Sequence, residues 1–434
     1  MTGEGPALGE VLPVWSVVPF VLLLLAIAVI PLRWGHFWQR NRNKALVSLV
    51  LGLPVAAWVA VHDPSVLLHT AVEYVGFIAL LAALYIIAGG IVLRGDLRAT
   101  PAVNTGFLAV GALLANVIGT TGASMLLIRP LLQTNVPERR HVAHIPVFFI
   151  FVVSNCAGLL TPLGDPPLFL GYLRGVPFFW TLRLARQWLL TVVVLLTVFY
   201  LVDRRAVARE PPGIARRDAR EFRPLKLRGT RNFVYLLAVV VAILVSSALP
   251  EGPVREIGRF GALVVMAALS LLTTPRALRR ENGFGYHPIQ EVAILFAGIF
   301  ATMIPALEIL RSRGASLGVT EPWHFFWLSG ALSSFLDNAP TYLTFVSLAQ
   351  GLGATGDTAV ALAGGHVSAS LLAAISCGSV FMGANSYIGN GPNFMVKAIA
   401  EEQGVPMPSF GGYLLWSGGI LLPVFGVITL VFFL

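Results

Sequence analysis

The chain has 434 residues, of which 56% are apolar and only 12% charged, against roughly 45–50% and 25% in soluble domains. With a mean hydropathy of +0.79 it carries more apolar surface than a soluble fold can hide, which excludes disorder, collagen-like repeats and disulfide scaffolds and indicates a polytopic membrane protein. The formal charge of +9 reads as basic cytoplasmic loops rather than a nucleic-acid surface, so the expected partners are the lipid bilayer and a small solute, with no nucleic acid.

The N-terminal stretch holds Glu4 and Glu10 without Lys or Arg, so it lacks the basic region of a cleaved signal peptide. A spanning helix needs about 20 apolar residues. Stretches of that kind occupy 13–31, 45–61, 69–92, 144–173, 184–202, 232–249, 258–274, 288–310, 358–400 and 411–433. Two further apolar stretches, 104–135 and 322–352, are interrupted at half depth by VIGTTGAS and SSFLDNAPT. Each is long enough for two short helices. Irregular backbone at membrane depth is tolerated only inside protein or around a wet cavity, so both are expected to be re-entrant hairpins. Cys156 and Cys377 lie in apolar stretches without a CxxC motif and are expected to be free thiols. His366 is expected to be a core residue.

Loop charge sets the orientation. With both hairpins entering and leaving on one side, 21 basic residues fall on one face and seven on the other. The richer face is assigned to the cytoplasm, which puts both termini outside and the protein in the plasma (inner) membrane. Reading either hairpin as a full span would flip every later loop and destroy the bias. The loop 203–231, with ten basic residues and four acids, reads as a solvated linker between two halves.

The halves resemble each other in order. Glu73 opens EYVGFIALLAALYIIAGGIVLRG and Glu291 opens EVAILFAGIFATMIPALEILRSRG. The two interrupted hairpins follow. Then TPLGDPPLFLGYLRGVP parallels SYIGNGPNFMVKAIAEEQGVP, matching Asp165 to Asn390 and Pro167 to Pro392. The expected organisation is a first repeat at 1–203 (hairpin 104–135, broken helix 144–173), a cytoplasmic linker at 204–231, and a second repeat at 232–434 (hairpin 322–352, broken helix 358–402). The charge-derived orientation starts one repeat outside and the other inside, so the repeats are inverted. The fold class is all-α and polytopic: about ten transmembrane helices, two re-entrant hairpins and two broken helices. Inverted repeats with Gly/Pro-interrupted helices mark secondary transporters, whose substrate site lies near the midplane.

SNCAGLLTPLGDPPLF (154–169) resembles the corresponding segment of NhaD-type sodium/proton antiporters. LDNAPTYLTF (336–345) and GANSYIGNGPNF (383–394) resemble second-half segments of citrate and sodium/proton transporters. The wider group is the ion transporter superfamily, which includes arsenite permeases and divalent-anion/sodium symporters. The resemblance implies a homodimer with an elevator-type transport domain. The dicarboxylate symporters carry Ser-Asn-Thr at their hairpin tips, where this chain reads Thr120-Thr121-Gly122 and Asp337-Asn338-Ala339.

Asp165 and Asp337 are the candidate site acids. An intramembrane carboxylate costs about 2.5–3.5 kcal/mol on insertion scales and is a functional candidate by default; each could instead cap backbone N–H groups. The candidate oxygen ligands around them are Thr120, Thr121, Ser124, Asn155, Thr161, Asn338, Thr341, Asn385, Ser386, Asn390 and Asn393. Such hard ligands suit sodium, and they could equally bond a carboxylate. Arg129 could be a charge partner for an acid or an anionic substrate, or could snorkel to the cytoplasm. Lys397 and Glu401 are spaced to pair, and Glu73 and Glu291 are expected to anchor span ends. The leading function is proton-coupled sodium antiport through Asp165 and Asp337, with no cofactor beyond sodium ions and protons as coupling ions. The alternative is proton- or sodium-coupled transport of citrate or another carboxylate, with arsenite export weaker still. An intramembrane hydrolase is a further alternative, although Pro162 stands where an aspartyl protease needs glycine and Met125 where a serine protease does.

Overall fold

The computed structural model describes residues 8–137, 139–210, 223–250, 252–353 and 359–434. Its α-helices of six or more residues are α1 (Val18–Arg33), α2 (Asn41–His62), α3 (Pro64–Ala88), α4 (Pro101–Asn135), α5 (His144–Val152), α6 (Pro166–Leu173) and α7 (Ala185–Val207) in the first half. The second half has α8 (Arg231–Ser247), α9 (Pro253–Thr273), α10 (Arg276–Glu281), α11 (His287–Arg313), α12 (Pro322–Ser333), α13 (Asn338–Gly351), α14 (Ala369–Met382), α15 (Gly391–Glu402) and α16 (Phe410–Phe432). Among the described residues eight helices are long and apolar enough to cross a membrane, and shorter apolar helices accompany them. The protein is an all-α polytopic membrane protein. Proline at the first turn starts several helices where its missing N–H costs nothing, and at Pro64 and Pro101 the preceding Asp63 and Thr100 cap free backbone N–H groups.

Helix α4 is not a straight span. Its 35 residues would extend about 52 Å if straight. Yet Asn104 near its start and Asn135 at its end exchange side-chain hydrogen bonds, each 2.9 Å long. The chain folds back at Gly119, whose φ of 77° lies in the left-handed region that glycine enters without a Cβ penalty. Helices α12 and α13 form a second hairpin with its tip at 334–337, and Phe325 meets Phe345 edge-on across its arms at 6.2 Å. The two broken helices are α5–α6, separated by residues 153–165, and α14–α15, separated by 383–390.

The hairpin bases lie at opposite ends of the molecule. Helix α5 begins at the base of the first hairpin, where His144 bonds Asp203 at 2.9 Å and Asn104 bonds the same carboxylate at 2.9 Å. Helix α6 ends beside the second base: the Arg174 carbonyl accepts the Ala363 N–H at 2.6 Å, and Gln350 donates to the Ala363 carbonyl at 3.1 Å. The other broken helix runs the reverse way, from the β-hairpin before Ala369 to Glu402, which pairs with Arg129 of the first hairpin at 3.3 Å. Packing between the halves is reciprocal: α2 lies on α11 as α9 lies on α3, and α4 lies on α15 as α13 lies on α6.

Three expectations need correction. The apolar stretch 358–400 does not enter the membrane helically from its start. Ala359–Leu362 (β3) and Gly365–Ser368 (β4) form a two-stranded antiparallel hairpin around Gly364 and Gly365, both at positive φ, and the helix begins at Ala369. His366 lies in that hairpin and is exposed, because alternation along a strand turns it away from buried Val367. The 204–231 linker is not wholly solvated loop. Its first residues extend α7 to Val207, and Arg223–Arg228 (β2) pairs with Val92–Asp96 (β1). Hydropathy sees neither strand because both are short and polar. The part of the linker at 211–222, and residue 358 of the second broken helix, lie outside the described residues.

Candidate functional site

Asp165 is the residue on which the four interruptions converge. It precedes α6 with φ −142° and ψ 144°, and its carboxylate makes no capping bond to that helix. Pro166 and Pro167 follow it and have no N–H to claim the side chain. The carboxylate is 1% exposed. Thr120 Oγ1, at the tip of the first hairpin, donates to Oδ1 at 2.9 Å. Asn338 Nδ2, at the tip of the second hairpin, donates to Oδ2 at 2.5 Å. Asn390 Nδ2, in the second broken helix, donates to Oδ1 at 3.0 Å. The donors come from three separate segments, all of them neutral, and no ion pair reaches Asp165 or Asp337 among the described residues.

The breaks themselves are built alike. Asn390 precedes α15 with φ −155° and ψ 142° and, like Asp165, makes no capping bond. In the first break Gly164 lies so close to Gly158 that a Cβ on it would come within 2.2 Å of the Gly158 carbonyl oxygen. Gly389 and Gly383 repeat this approach, at 2.5 Å. Only glycine allows such backbone crossings. The Gly164 carbonyl also accepts the Thr120 N–H at 2.8 Å, tying the first hairpin tip to the first break.

Asp337 caps α13, accepting the Ala339 N–H at 3.1 Å, and it is partly exposed. It precedes Asn338, so a second carboxylate stands one residue from the group that holds Asp165. Three buried oxygens nearby in the fold have no hydrogen-bond partner among the described residues: Asn338 Oδ1, Asn385 Oδ1 and Ser379 Oγ. Carboxylate, amide and hydroxyl oxygens are the donor types that hard cations take.

A sequence profile described as "Putative citrate transport" matches residues 9–433. The chain belongs to this citrate transport family. It is thus a multi-pass membrane protein of a transport family. Among curated proteins, none matches the chain significantly.

The remaining candidates of this citrate-family chain fall into two groups. One group organises the breaks around Asp165. Asn155 donates to the Ile150 carbonyl at 2.8 Å and to Asn393 Oδ1 at 2.7 Å, and it accepts from Asn390 at 3.2 Å. Asn393 donates to the carbonyls of Gly383 and Ser386, each at 2.9 Å. Asn385 donates to Ser334 Oγ at 2.9 Å, Ser386 Oγ to the Ser334 carbonyl, and Ser124 and Ser154 share a hydroxyl contact at 2.9 Å. The other group lies off the centre. Thr161 donates to the Asn116 carbonyl at 2.5 Å and Thr341 to the Asp337 carbonyl at 3.0 Å, so both hold backbone. Thr121 is partly exposed and makes no side-chain hydrogen bond to Asp165. Arg129 is not a partner for either acid: it pairs with Glu402, nine residues beyond Thr120 and so about 13 Å along the helix.

Sequence reading passed over Asn116, Ser154 and Ser334. Asn116 receives the Leu160 N–H at 2.9 Å, and Ser154 offers its carbonyl to Asn390 at 3.2 Å. Ser334 was legible in the run SSFLDN, and Ser154 beside Asn155. Asn116 gives no signal, because it lies one turn before the tip in an apolar arm.

Proposed function

We propose that this chain is a secondary active transporter that exchanges a small cation, sodium first, for protons at Asp165 and Asp337. The observation that carries the reading is the Asp165 carboxylate itself, held by Thr120, Asn338 and Asn390 with no fixed cation. Away from water a bare carboxylate is costly. It must take a proton or a mobile cation, and the two compete for the same oxygens. Asp337 and the unfilled Asn338 Oδ1 add further oxygens for the cation. Segments of both halves are bonded to one another at Asp165 and would travel together as one unit, which supports an elevator-type movement. The NhaD-type resemblance supports sodium/proton exchange, and a homodimer in the plasma (inner) membrane with both termini outside completes the reading.

Cation-coupled citrate transport is the second reading, favoured by the family's description. Two acids in the site would repel a carboxylate substrate unless protons or sodium neutralised them first, so cation binding precedes substrate in this reading as well. Family membership favours transport over intramembrane hydrolysis.

Sodium-dependent proton flux in everted vesicles tests the first reading. Wild type is expected to exchange, and Asp165→Asn is expected to lose exchange while remaining folded. Undiminished flux in that variant sinks the assignment. Labelled citrate uptake into proteoliposomes separates the two readings.

A further inference from the structure

Away from Asp165, a cleft of about 300 Å³ opens between α3, α11, the end of α6 and the β3–β4 turn. That volume is within the usual range for small-molecule sites. Its floor is Arg174, nine residues beyond Asp165 and thus about 13 Å along the helix.

The charged and titratable side chains lining the cleft are His69, Glu73, Arg174, Glu308 and Arg311. Both acids are engaged. Glu73 accepts a bidentate pair from Arg174 Nε and Nη2, each at 3.1 Å, and stands 3.3 Å from His69 Nε2. Glu308 stands 3.1 Å from Arg311 Nη1. What remains unfilled is donors. Arg174 is 7% exposed, and its Nη1 is buried without a hydrogen-bond partner. Arg311 Nε is in the same condition. Gly364, at φ 85°, brings the β3–β4 turn against the Arg311 guanidinium, where a Cβ would lie 3.0 Å from its central carbon.

A buried N–H without an acceptor carries its full desolvation cost. Guanidinium groups match the geometry of carboxylate oxygens better than any other side chain. We infer that this cleft is a seat for a small carboxylate anion, separate from the midplane acids and placed at the mouth on the second hairpin's side. The anion takes Arg174 Nη1 and the Arg311 guanidinium, while Glu73 fixes the Arg174 fork.

The test is calorimetric titration of the purified full-length protein with sodium citrate at constant sodium. Wild type and Lys397→Gln, which removes a cation away from the cleft, are expected to bind citrate alike. Arg311→Gln, at a half-buried position, and Arg174→Lys, which keeps a cation for Glu73 but loses the second guanidinium nitrogen, are expected to bind at least tenfold more weakly. A thermal melt confirms that each variant is folded. Any other pattern overturns the inference: no citrate heat in wild type, loss with Lys397→Gln, or wild-type binding in either folded arginine variant. The sodium–proton exchange assay fails or succeeds independently of these titrations.

Discussion

At the residue scale, the same side-chain type does different work depending on what its neighbours leave free. Asp165 and Asp63 both precede a helix that opens with proline. Asp63 stands near the surface and caps α3, accepting the N–H groups of Ser65 and Val66 at 3.1 and 3.3 Å and the Ser65 hydroxyl at 2.5 Å. Asp165 caps nothing and turns to the centre. The Ser65 hydroxyl holds the Asp63 carboxyl below its ordinary range, helped by the two backbone donors against a small burial penalty. A depressed folded value means stability that is present above the unfolded value, near 4, and lost as pH falls through the folded one. Asp63→Ala is expected to cost about 1 kcal/mol near neutral pH. In thermal melts the gap from wild type should close in strong acid; a gap of constant size would contradict the capping role.

At the element scale, the hairpins show how a membrane helix is turned back. The first needs Gly119 at positive φ for the turn and a polar clasp at its base. That clasp is Asn104, Asn135 and Asp203, the last held also by Arg139 and His144. The charges are buried but paired and hydrogen-bonded, the only condition in which such a group is tolerated. Asn104→Ala and Asn135→Ala are expected to be strongly non-additive in thermal melts, because each removes the other's partner. A straight helix would hold these positions about 46 Å apart, so additive losses would refute the fold-back. The second hairpin uses a different device, four residues at 334–337 between two separate helices.

At the scale of the whole molecule, two halves of opposite sense interlock, each supplying one hairpin and one broken helix. Reciprocal packing of α2 on α11 and α9 on α3 joins them. Buried Lys44 joins them again near a span end, meeting Glu291 at 2.7 Å, while Glu73 and Arg174 pair within the first half. The proposed orientation puts Ser316 outside and Arg209 in the cytoplasm, both exposed. Cys156 and Cys377 are buried and leave a silent background. In intact cells an impermeant maleimide is expected to label Ser316→Cys and to reach Arg209→Cys only after permeabilisation. The reverse pattern would invert the orientation.

Hydrophobic length and Gly/Pro interruptions are local, so the sequence by itself determined the membrane class and the four places where helices break. Lys397 and Glu401, four residues apart, pair at 2.6 Å as their spacing requires. Loop charge, which is also summed along the chain, supports the proposed orientation. Contacts between distant segments are not written locally. The bond from Asn338 to Asp165 spans 173 positions and that from Asn390 spans 225, and only packing of the two halves could decide that these amides, rather than Arg129, surround the acid. The same holds for the Arg174 cleft and the β-hairpin at 359–368, where tertiary neighbours outweigh the apolar character that hydropathy reads.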